Sequence, residues 1–583
     1  AMSDWSSDVC SSDLQNSVSG NHKIKEVLQM KKSAKRLLAA IVSAAMICMP
    51  MSVFAAGGNV ASVDGTEYPT LQEAINNANG KTVTLLSNTT ESVTIPKGTT
   101  IELDLGGFTL TNTDKKDTIT NNGNLTVVGT GTVDNVSHLK TALLNNGVAK
   151  LSSGTFNRSK EAGTSAGDSG SNSYYTIVNH GTMTIQEGTT VMQNGKFSSL
   201  LENGWYNGNQ NTSKKDSVLI IEGGHFTGGL NTIKNDDYGK LTIQGGLFEN
   251  VAQSALLNWN SAEITGGTFK VDSSSNSVVL NGFADATMDK GSLKVSGGTF
   301  SGTAVALSTM GGSQNSGTIE LTGGTFEGDV VLSGNTAGGS LTISEKAVIN
   351  GDVSNTKLDN ITISGGSVEG TVSNIGAGTL AVNGGNFTVL PDSKYLSSVS
   401  TVAKYTSSNV ATYIVGTAEE VAIQLASAVS GDEIDILQGN VSFSASEGVS
   451  VTNSGEGTVT VNNEVVEKDS TVVTPHVHQN VIHVEAKAPT ATQTGNIEYW
   501  YCKDCGKYFS DAALTKEITK EQTVLSATGE GTAESTDPDG ETTSDNENSP
   551  QTNDATNLAV WAVLTVLAGA SIVKAALYVK HAK

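Results

Sequence analysis

Residues 241–260 read LTIQGGLFENVAQSALLNWN and contain two short patterns that recur along this chain. The first is a Gly-Gly pair followed by Phe or a similar residue, here Gly245 and Phe248. The second is an asparagine that ends a short apolar run, here Asn258. The Gly-Gly pattern also begins at Gly223, Gly266, Gly297, Gly323, Gly365 and Gly384. The recurring asparagines are Asn121, Asn145, Asn179, Asn203, Asn235, Asn258 and Asn281.

The spacing of the two patterns predicts a solenoid. Neighbouring Gly-Gly pairs often lie about 22 residues apart, a repeat length typical of stacked coils that cannot bury their apolar faces alone. Strands such as 241–243 alternate apolar and polar residues, and the frequent glycines disfavour helices. We therefore expect an all-β parallel β-helix in which the asparagine amides stack and hydrogen-bond from coil to coil. Beyond Asn281 the asparagine position is predicted to become serine, at Ser308, Ser333, Ser354 and Ser373.

Two short amphipathic helices are predicted beside the solenoid. Thr70 and Glu73 form a capping-box pattern before an apolar helical face, and Gly80 stops it. The same design recurs at Thr417 and Glu420, followed by a strand at 434–437. A solenoid needs closed ends, so the first helix is expected to cover the N-terminal coil.

The segments YPTLQEAINNA (68–78), TVTLLSN (82–88) and IELDLGGFTL (101–110) resemble the pectin-lyase-like right-handed β-helix domains of Gram-positive surface proteins. The resemblance covers residues 60–390. It implies a right-handed coil and a protein exposed on a bacterial surface.

Both ends of the chain carry features of an exported protein. Met30 begins a basic stretch that leads into an apolar run and the small-x-small site Val53-Phe54-Ala55, which predicts a signal peptide. Residues 1–29 precede this start and are interpreted as a non-native leader. Near the other end, a polar motif precedes an apolar stretch and a basic tail, which resembles a sortase sorting signal. The motif comprises Pro550, Gln551, Thr552 and Asn553.

This arrangement predicts anchoring at the extracellular face. The partners would be a sortase and peptidoglycan, or the membrane itself if the apolar C-terminal helix stays in place. The predicted domains are a leader (1–29), signal peptide (30–56), N-terminal cap (57–94), parallel β-helix (95–395), second cap-plus-strand unit (396–470), CxxC module (471–529), acidic disordered spacer (530–548) and sorting signal with a hydrophobic segment (549–583).

Residues 476–529 resemble a small β module of Firmicutes surface proteins, through the segment GNIEYWYCKDCGKYFSD (495–511). Cys502 and Cys505 form a C-x-x-C-G-K turn of the kind found in zinc knuckles. His476 or His478, together with His483, are the candidates to complete a zinc site, and His476 and His483 are the pair selected. A disulfide between the two cysteines, or free thiols, are the alternatives in an export context.

Composition narrows the possible functions. A formal net charge of −23 and a pI near 4.7 argue against nucleic acid as a partner.

Asp236 and Asp237, with His180 nearby, are the weak candidates for a polysaccharide hydrolase or lyase, but the Arg-x-Lys set of polygalacturonases is missing.

Aromatic residues near the asparagine turns suit the stacking of sugar rings, in host or dietary glycans. The sequence therefore favours a non-catalytic adhesin or glycan-binding rod, with a glycan-cleaving enzyme or a purely structural spacer as alternatives. The candidate binding residues are Tyr175, Trp205, Tyr206, Tyr238 and Trp259.

Overall fold

The computed structural model describes residues 58–113, 115–159, 174–206, 210–272, 276–282, 291–311, 313–475 and 478–529. They form two compact units, which divide between residues 477 and 478. Among these residues, no helix combines the length and the apolar character needed to cross a bilayer. The predicted signal peptide, spacer and C-terminal hydrophobic helix lie outside the described residues.

The first unit is an all-β solenoid of parallel strands, as in a parallel β-helix, which confirms the predicted architecture at that level. One coil consists of three strands, for example Gly239–Ile243, Leu247–Asn250 and Ser254–Asn258. Each strand pairs in parallel with its equivalents in the neighbouring coils. The three sets of equivalent strands define three faces, which we number in the order of this coil.

The first two faces share long strands that run through the corner between them. Four strands belong to both faces: Val148–Arg158, Thr182–Gln193, Asn360–Val368 and Leu380–Phe387. The first face also contains Lys81–Leu85, Thr100–Asp104, Asn124–Val128, Ser217–Ile221, Gly239–Ile243, Ser261–Ile264, Ser292–Val295, Thr318–Leu321 and Ser340–Ile343. The second face also contains Thr89–Thr90, Thr109–Thr111, Thr132–Asp134, His225–Gly228, Leu247–Asn250, Thr268–Val271, Thr299–Ser301, Thr325–Phe326 and Val348–Ile349.

The third face is a separate sheet of twelve strands, each on a different coil. Its strands are Val93–Ile95, Ile119–Asn121, Leu143–Asn145, Ile177–Asn179, Leu201–Asn203, Asn231–Asn235, Ser254–Asn258, Ser277–Asn281, Val305–Thr309, Asp329–Leu332, Val353–Asn355 and Val372–Asn374.

The Gly-Gly pattern forms the corner between the first and second faces. Gly246 has φ +109°, and a Cβ there would lie 3.3 Å from the ring of Phe248. Glycine therefore permits both the left-handed backbone and the close approach of the ring. The phenylalanines point inward and stack with centroids 4.6–4.8 Å apart. The stacked rings are Phe226, Phe248, Phe269, Phe300 and Phe326.

The asparagines end the strands of the third face and point into the solenoid. All seven are fully buried, and the side-chain amide of each of the first six donates to the side-chain carbonyl oxygen of the next asparagine across 2.7–2.8 Å. Each donor amide also bonds a backbone carbonyl further along, such as Asn235 to Ser261 at 2.9 Å. The row satisfies buried polar groups that would otherwise cost about 1–3 kcal/mol each.

The row does not continue as serine, so that part of the prediction is wrong. Register places Thr309 beside Asn281, and the later positions are Leu332, Asn355 and Asn374. Ser308, Ser354 and Ser373 lie one residue earlier in their strands. Because successive side chains alternate across a sheet, they lie on the opposite side. Ser333 comes just after its strand has ended.

A buried carboxylate lies where the asparagine row is interrupted. Asp359 is fully buried and accepts bonds from Ser316 Oγ at 2.7 Å and from the Gly334 amide at 2.6 Å. Ser316 in turn bonds Thr309, and its carbonyl accepts from Asn281. These residues continue the buried hydrogen-bond network past the break.

The N-terminal end begins with the hairpin Ala61–Val63 and Thr66–Tyr68, followed by helix Leu71–Asn76. Thr70 Oγ1 caps the helix by accepting from the Glu73 amide at 3.2 Å. Leu71, Ala74 and Ile75 are buried and belong to the main core.

The end of the first unit has a smaller core of its own. Helix Ala418–Leu425 carries the full capping box of Thr417 and Glu420. The last strand, Ser470–Val473, pairs with Ser450–Asn453. The unit therefore extends beyond residue 470, at which it was predicted to end. The elements are Ser393–Tyr395 (3-10 helix), Thr401–Ser407, Val410–Gly416, Ala418–Leu425 (α-helix), Glu433–Gln438, Val441–Phe443, Ser450–Asn453, Val459–Val461, Glu464–Val466 and Ser470–Val473.

The second unit is a small antiparallel β module. The strand order of its main sheet is Val481–Val484, Tyr499–Cys502, Tyr508–Phe509 and Glu517–Ile518, with each strand antiparallel to the next. Gly495–Asn496 pairs with Val524–Leu525, and a 3-10 turn lies at Glu521–Thr523. Cys502 and Phe509 are the buried apolar side chains among residues 478–529.

Candidate functional site

The candidate site lies on the outer side of the third face. The middle residues of its strands point outward, and on the outer face of most sheets such residues would be exposed to solvent. Here Val178, Glu202, Leu257 and Leu280 are at most 8% exposed. Glu202 stands beside Val178 on one strand and Lys234 on the next. This part of the outer surface is therefore a covered layer.

The turns that follow two of the asparagines carry aromatic rings. His180 follows Asn179, and Trp205 follows Asn203 by two residues on the next coil. Their rings stack with centroids 3.7 Å apart and an angle of 6° between planes. Burial lowers the pKa of His180 to about 4, so the imidazole is neutral at physiological pH. A neutral, stacked histidine acts here as a flat packing surface.

A charged cluster lies beside the stacked rings. Lys234 forms a close ion pair with Asp236, and both side chains are largely buried. Burial, together with the nearby Asp236 carboxylate, raises the pKa of Glu202 to about 8, although Lys234 and the Tyr206 amide oppose the rise. Burial also raises the pKa of Asp236, more than Lys234 lowers it. Glu202 is therefore largely protonated at neutral pH and can donate a hydrogen bond.

Tyr206 is the exposed ring of the site. It is 72% exposed, and the Lys234 ammonium lies 4.6 Å from its centroid, in a cation–π contact. Tyr175 is half-buried, and burial followed by the charge of Glu202 raises its pKa well above the usual value. Tyr174 packs edge-on against it at 5.1 Å. The structure thus brings Tyr175, His180, Trp205, Tyr206 and Asp236 together.

The other candidates of the third face have different surroundings. Tyr238 adopts φ +61° in the turn after Asp237, and Lys214 lies 5.7 Å from its ring. Asp237 is 7% exposed, and its carbonyl accepts from the Trp205 amide at 2.9 Å. Trp259 belongs to the next turn, where its amide bonds the carbonyl of Asn235.

Among the buried polar side-chain atoms without a hydrogen-bond partner in the described residues, three belong to the candidate residues and to Glu202 and can bind a hydroxyl. They are Nε1 of Trp205, Nε1 of Trp259 and Oε1 of Glu202. Each such atom costs about 1–3 kcal/mol unless something satisfies it. Two indole donors and one carboxyl group are groups that bind hydroxyls well.

The candidate zinc ligands are only partly brought together. Cys502 and Cys505 lie with His478, their ligand atoms all within 4.8 Å of one another. His483 lies elsewhere: it bonds Glu498 at 2.8 Å and stacks on Trp500. His476 and the sorting motif at Pro550, Gln551, Thr552 and Asn553 lie outside the described residues.

Glu202 and Lys234 were not among the residues singled out from the sequence, and His478 was considered there only as an alternative to His476. Glu202 and Lys234 occupy outward positions, which are usually exposed to solvent. The sequence around them therefore did not indicate that they are buried. A signal did exist, because the register of the seven asparagines places the two side by side.

No protein-family model, curated protein or solved structure matches this chain. What the structure defines is a class: an all-β solenoid of parallel strands that carries a covered aromatic and charged patch on one face. A fold of this kind supports many activities, so function has to be argued from the patch itself.

Proposed function

We propose that this chain is a non-catalytic, surface-anchored rod that binds glycans through the aromatic patch on its third face. The resemblance to right-handed, pectin-lyase-like β-helices of Gram-positive surface proteins supports this proposal. So do the predicted signal peptide and sorting signal, whose partners would be a sortase and peptidoglycan or the membrane. Host or dietary glycans are the proposed ligands.

The main observation behind the proposal is that neighbouring residues hold the exposed ring of Tyr206 in place. Its ring is exposed, yet its lower side rests on the Lys234 ammonium, which is itself fixed by Asp236. Trp205 precedes Tyr206 in the same turn, and His180, on which Trp205 stacks, lies in the turn of the preceding coil. An exposed aromatic ring held by a rigid sheet loses little entropy when a flat apolar sugar face stacks on it.

The hydrogen-bonding groups beside the rings suit hydroxyl-rich ligands. A protonated Glu202 and the indole N–H of Trp205 are donors, and Asp236 is an acceptor. These groups lie buried beside the exposed ring. Stacking would then give affinity, and the polar groups would give orientation.

A glycan-cleaving enzyme is the second candidate. Glu202 near Asp236 supplies one observation in its favour, because a protonated and an ionised carboxyl group are what acid–base hydrolysis uses. Against it, the ion pair with Lys234 occupies Asp236, and Asp237 and His180 lie in packed turns. The binding role needs no free carboxylate, so we favour it. A rod that serves only as a spacer is the remaining alternative.

A glycan array with the purified chain, followed by product analysis of every hit, tests the proposal. We expect binding that is lost in Trp205→Ala and Tyr206→Ala, without new reducing ends or unsaturated products. Trp500→Ala is the matched control, since Trp500 also stacks on a histidine but lies in the second unit.

Two outcomes would overturn the binding role. Products that disappear in Asp236→Asn or Glu202→Gln would establish an enzyme. An array without hits, or hits equally retained by both patch variants, would leave the spacer role as the better account.

A further inference from the structure

The CxxC turn of the second unit lies next to His478, which the sequence offered only as an alternative to His476. Cys505 Sγ lies 3.7 Å from His478 Nδ1, and Cys502 completes a group whose ligand atoms are within 4.8 Å of one another. Cys502 is fully buried and Cys505 half-buried, so the group is sheltered but reachable.

The histidine segment is fixed to the turn by hydrogen bonds. Asp504, between the two cysteines, accepts from the Asn480 amide at 3.0 Å and from its side chain at 2.6 Å. The Lys503 amide donates back to the Asn480 carbonyl at 2.9 Å. His478 is two residues from Asn480, so these bonds hold it beside the cysteines.

The turn itself has a defined shape. The Gly506 amide bonds the Cys502 carbonyl at 2.9 Å, and the Cys502 amide bonds the Lys507 carbonyl at 2.9 Å. Gly506 has φ +73°, a conformation that favours glycine. The His478 ring packs edge-on against Phe509, with centroids 4.5 Å apart. Both sides of the group are therefore positioned before any ligand binds.

We propose that His478, Cys502 and Cys505 bind one zinc ion. Tetrahedral zinc with bonds of about 2.3 Å to sulfur and 2.0–2.1 Å to nitrogen separates such ligand atoms by about 3.6 Å. The observed 3.7 Å between Cys505 and His478 is close to that value. Binding deprotonates both thiols and releases two protons, and a ligand from outside the triad takes the fourth position.

The small core of this unit explains why a metal would matter. Among residues 478–529 only Cys502 and Phe509 are buried apolar side chains. Modules of roughly 50 residues rarely fold on so little apolar burial without a metal or disulfides. The zinc ion would supply the missing stabilisation and tie the His478 segment to the sheet.

Elemental analysis of the full chain tests the site. Cys10 and Cys48 are changed to serine in every sample, so that Cys502 and Cys505 are the remaining thiols. After loading with zinc and dialysis against metal-free buffer, we expect about one zinc per chain. His478→Ala and Cys505→Ser should lose it, and Asp504→Ala should weaken binding by about 10–100-fold.

His483→Ala is the matched control and should retain zinc, because His483 bonds Glu498 outside the group. A second readout guards against simple misfolding: a chelator should speed amide exchange in 499–502 without changing exchange in the solenoid. Zinc lost in His483→Ala but kept in His478→Ala would overturn the assignment. So would a metal-free chain whose mass shows a disulfide between Cys502 and Cys505.

Discussion

Asn145 donates its side-chain amide to Asn179 across 2.7 Å, although 34 residues separate them in the sequence. Asn145 also accepts from Asn121 on the preceding coil. Asn145 is thus both a donor and an acceptor. Removing its side chain leaves the buried amide of Asn121 and the buried carbonyl oxygen of Asn179 each without one hydrogen bond.

Asn145→Ala should lower the free energy of unfolding by about 1–3 kcal/mol, because it leaves neighbouring amides unsatisfied. Chemical denaturation followed by far-UV circular dichroism measures the loss. Asn146→Ala is the control: Asn146 is the next residue, is exposed, and bonds the side chain of Asn122 at 3.0 Å. Equal effects of the two changes would contradict a buried role for the row.

Phe269→Ala should cost about 3–5 kcal/mol, because it opens a cavity in the middle of the phenylalanine stack. Phe269 lies 4.6 Å from Phe248 and 4.7 Å from Phe300, measured between ring centroids. Phe269→Leu keeps much of the volume and should cost clearly less. Thermal unfolding of both variants measures the difference, and a neutral Phe269→Ala would place the ring outside the core.

Stability should fall as pH rises from about 6.5 to about 8, because of Glu202. Below pH 6.5 the lowered pKa of His180 gives a slope of the opposite sign, which offsets that of Glu202. The pKa of Glu202 is raised to about 8 in the folded chain from an ordinary value of 4.5, so the folded state keeps a proton that the unfolded state has lost. The slope should be roughly 1 kcal/mol per pH unit and should level off above pH 8.

Glu202→Gln should flatten this slope and raise stability at pH 8, as measured by denaturant titration at several pH values. Glu222→Gln is the control, since Glu222 is exposed and bonds Gln186. A slope that survives in Glu202→Gln but not in Glu222→Gln would show that another group titrates.

If a sortase processes the proposed sorting signal, Thr552→Ala should move the protein from the cell-wall fraction to the membrane fraction. Fractionation and immunoblotting of producing cells measure the shift. Thr543→Ala, in the acidic spacer, should leave the distribution unchanged. Identical distributions for both variants would mean that the motif is not processed.

The solenoid was predictable because its determinants repeat. Asn258 and Phe248 are two of many equivalent residues, and a pattern that recurs on every coil reveals inward and outward positions without any structure. Where the repeat weakens, the prediction failed: Ser354 precedes Asn355 by one residue, and a shift of one position moves a side chain to the other side of the sheet.

The site was less predictable, because its members do not repeat. Glu202 and Lys234 are ordinary polar residues at an outward position, and only the packing around them makes them buried and coupled. The choice among three histidines near Cys502 likewise depends on a tertiary contact. Asp504 fixes the segment that carries His478, and no spacing rule contains that information.

The asparagine row also bears on how such a chain can evolve. Consecutive asparagines are 24, 34, 24, 32, 23 and 23 residues apart, yet every bond between them is 2.7–2.8 Å long. In the coil between Asn203 and Asn235, the additional residues lie between strand Leu201–Asn203 and strand Ser217–Ile221, and closing a longer connection costs little free energy. Insertions between strands can therefore accumulate and diversify while the buried asparagine row stays the same. The scaffold and the connections that it carries can then change independently during evolution.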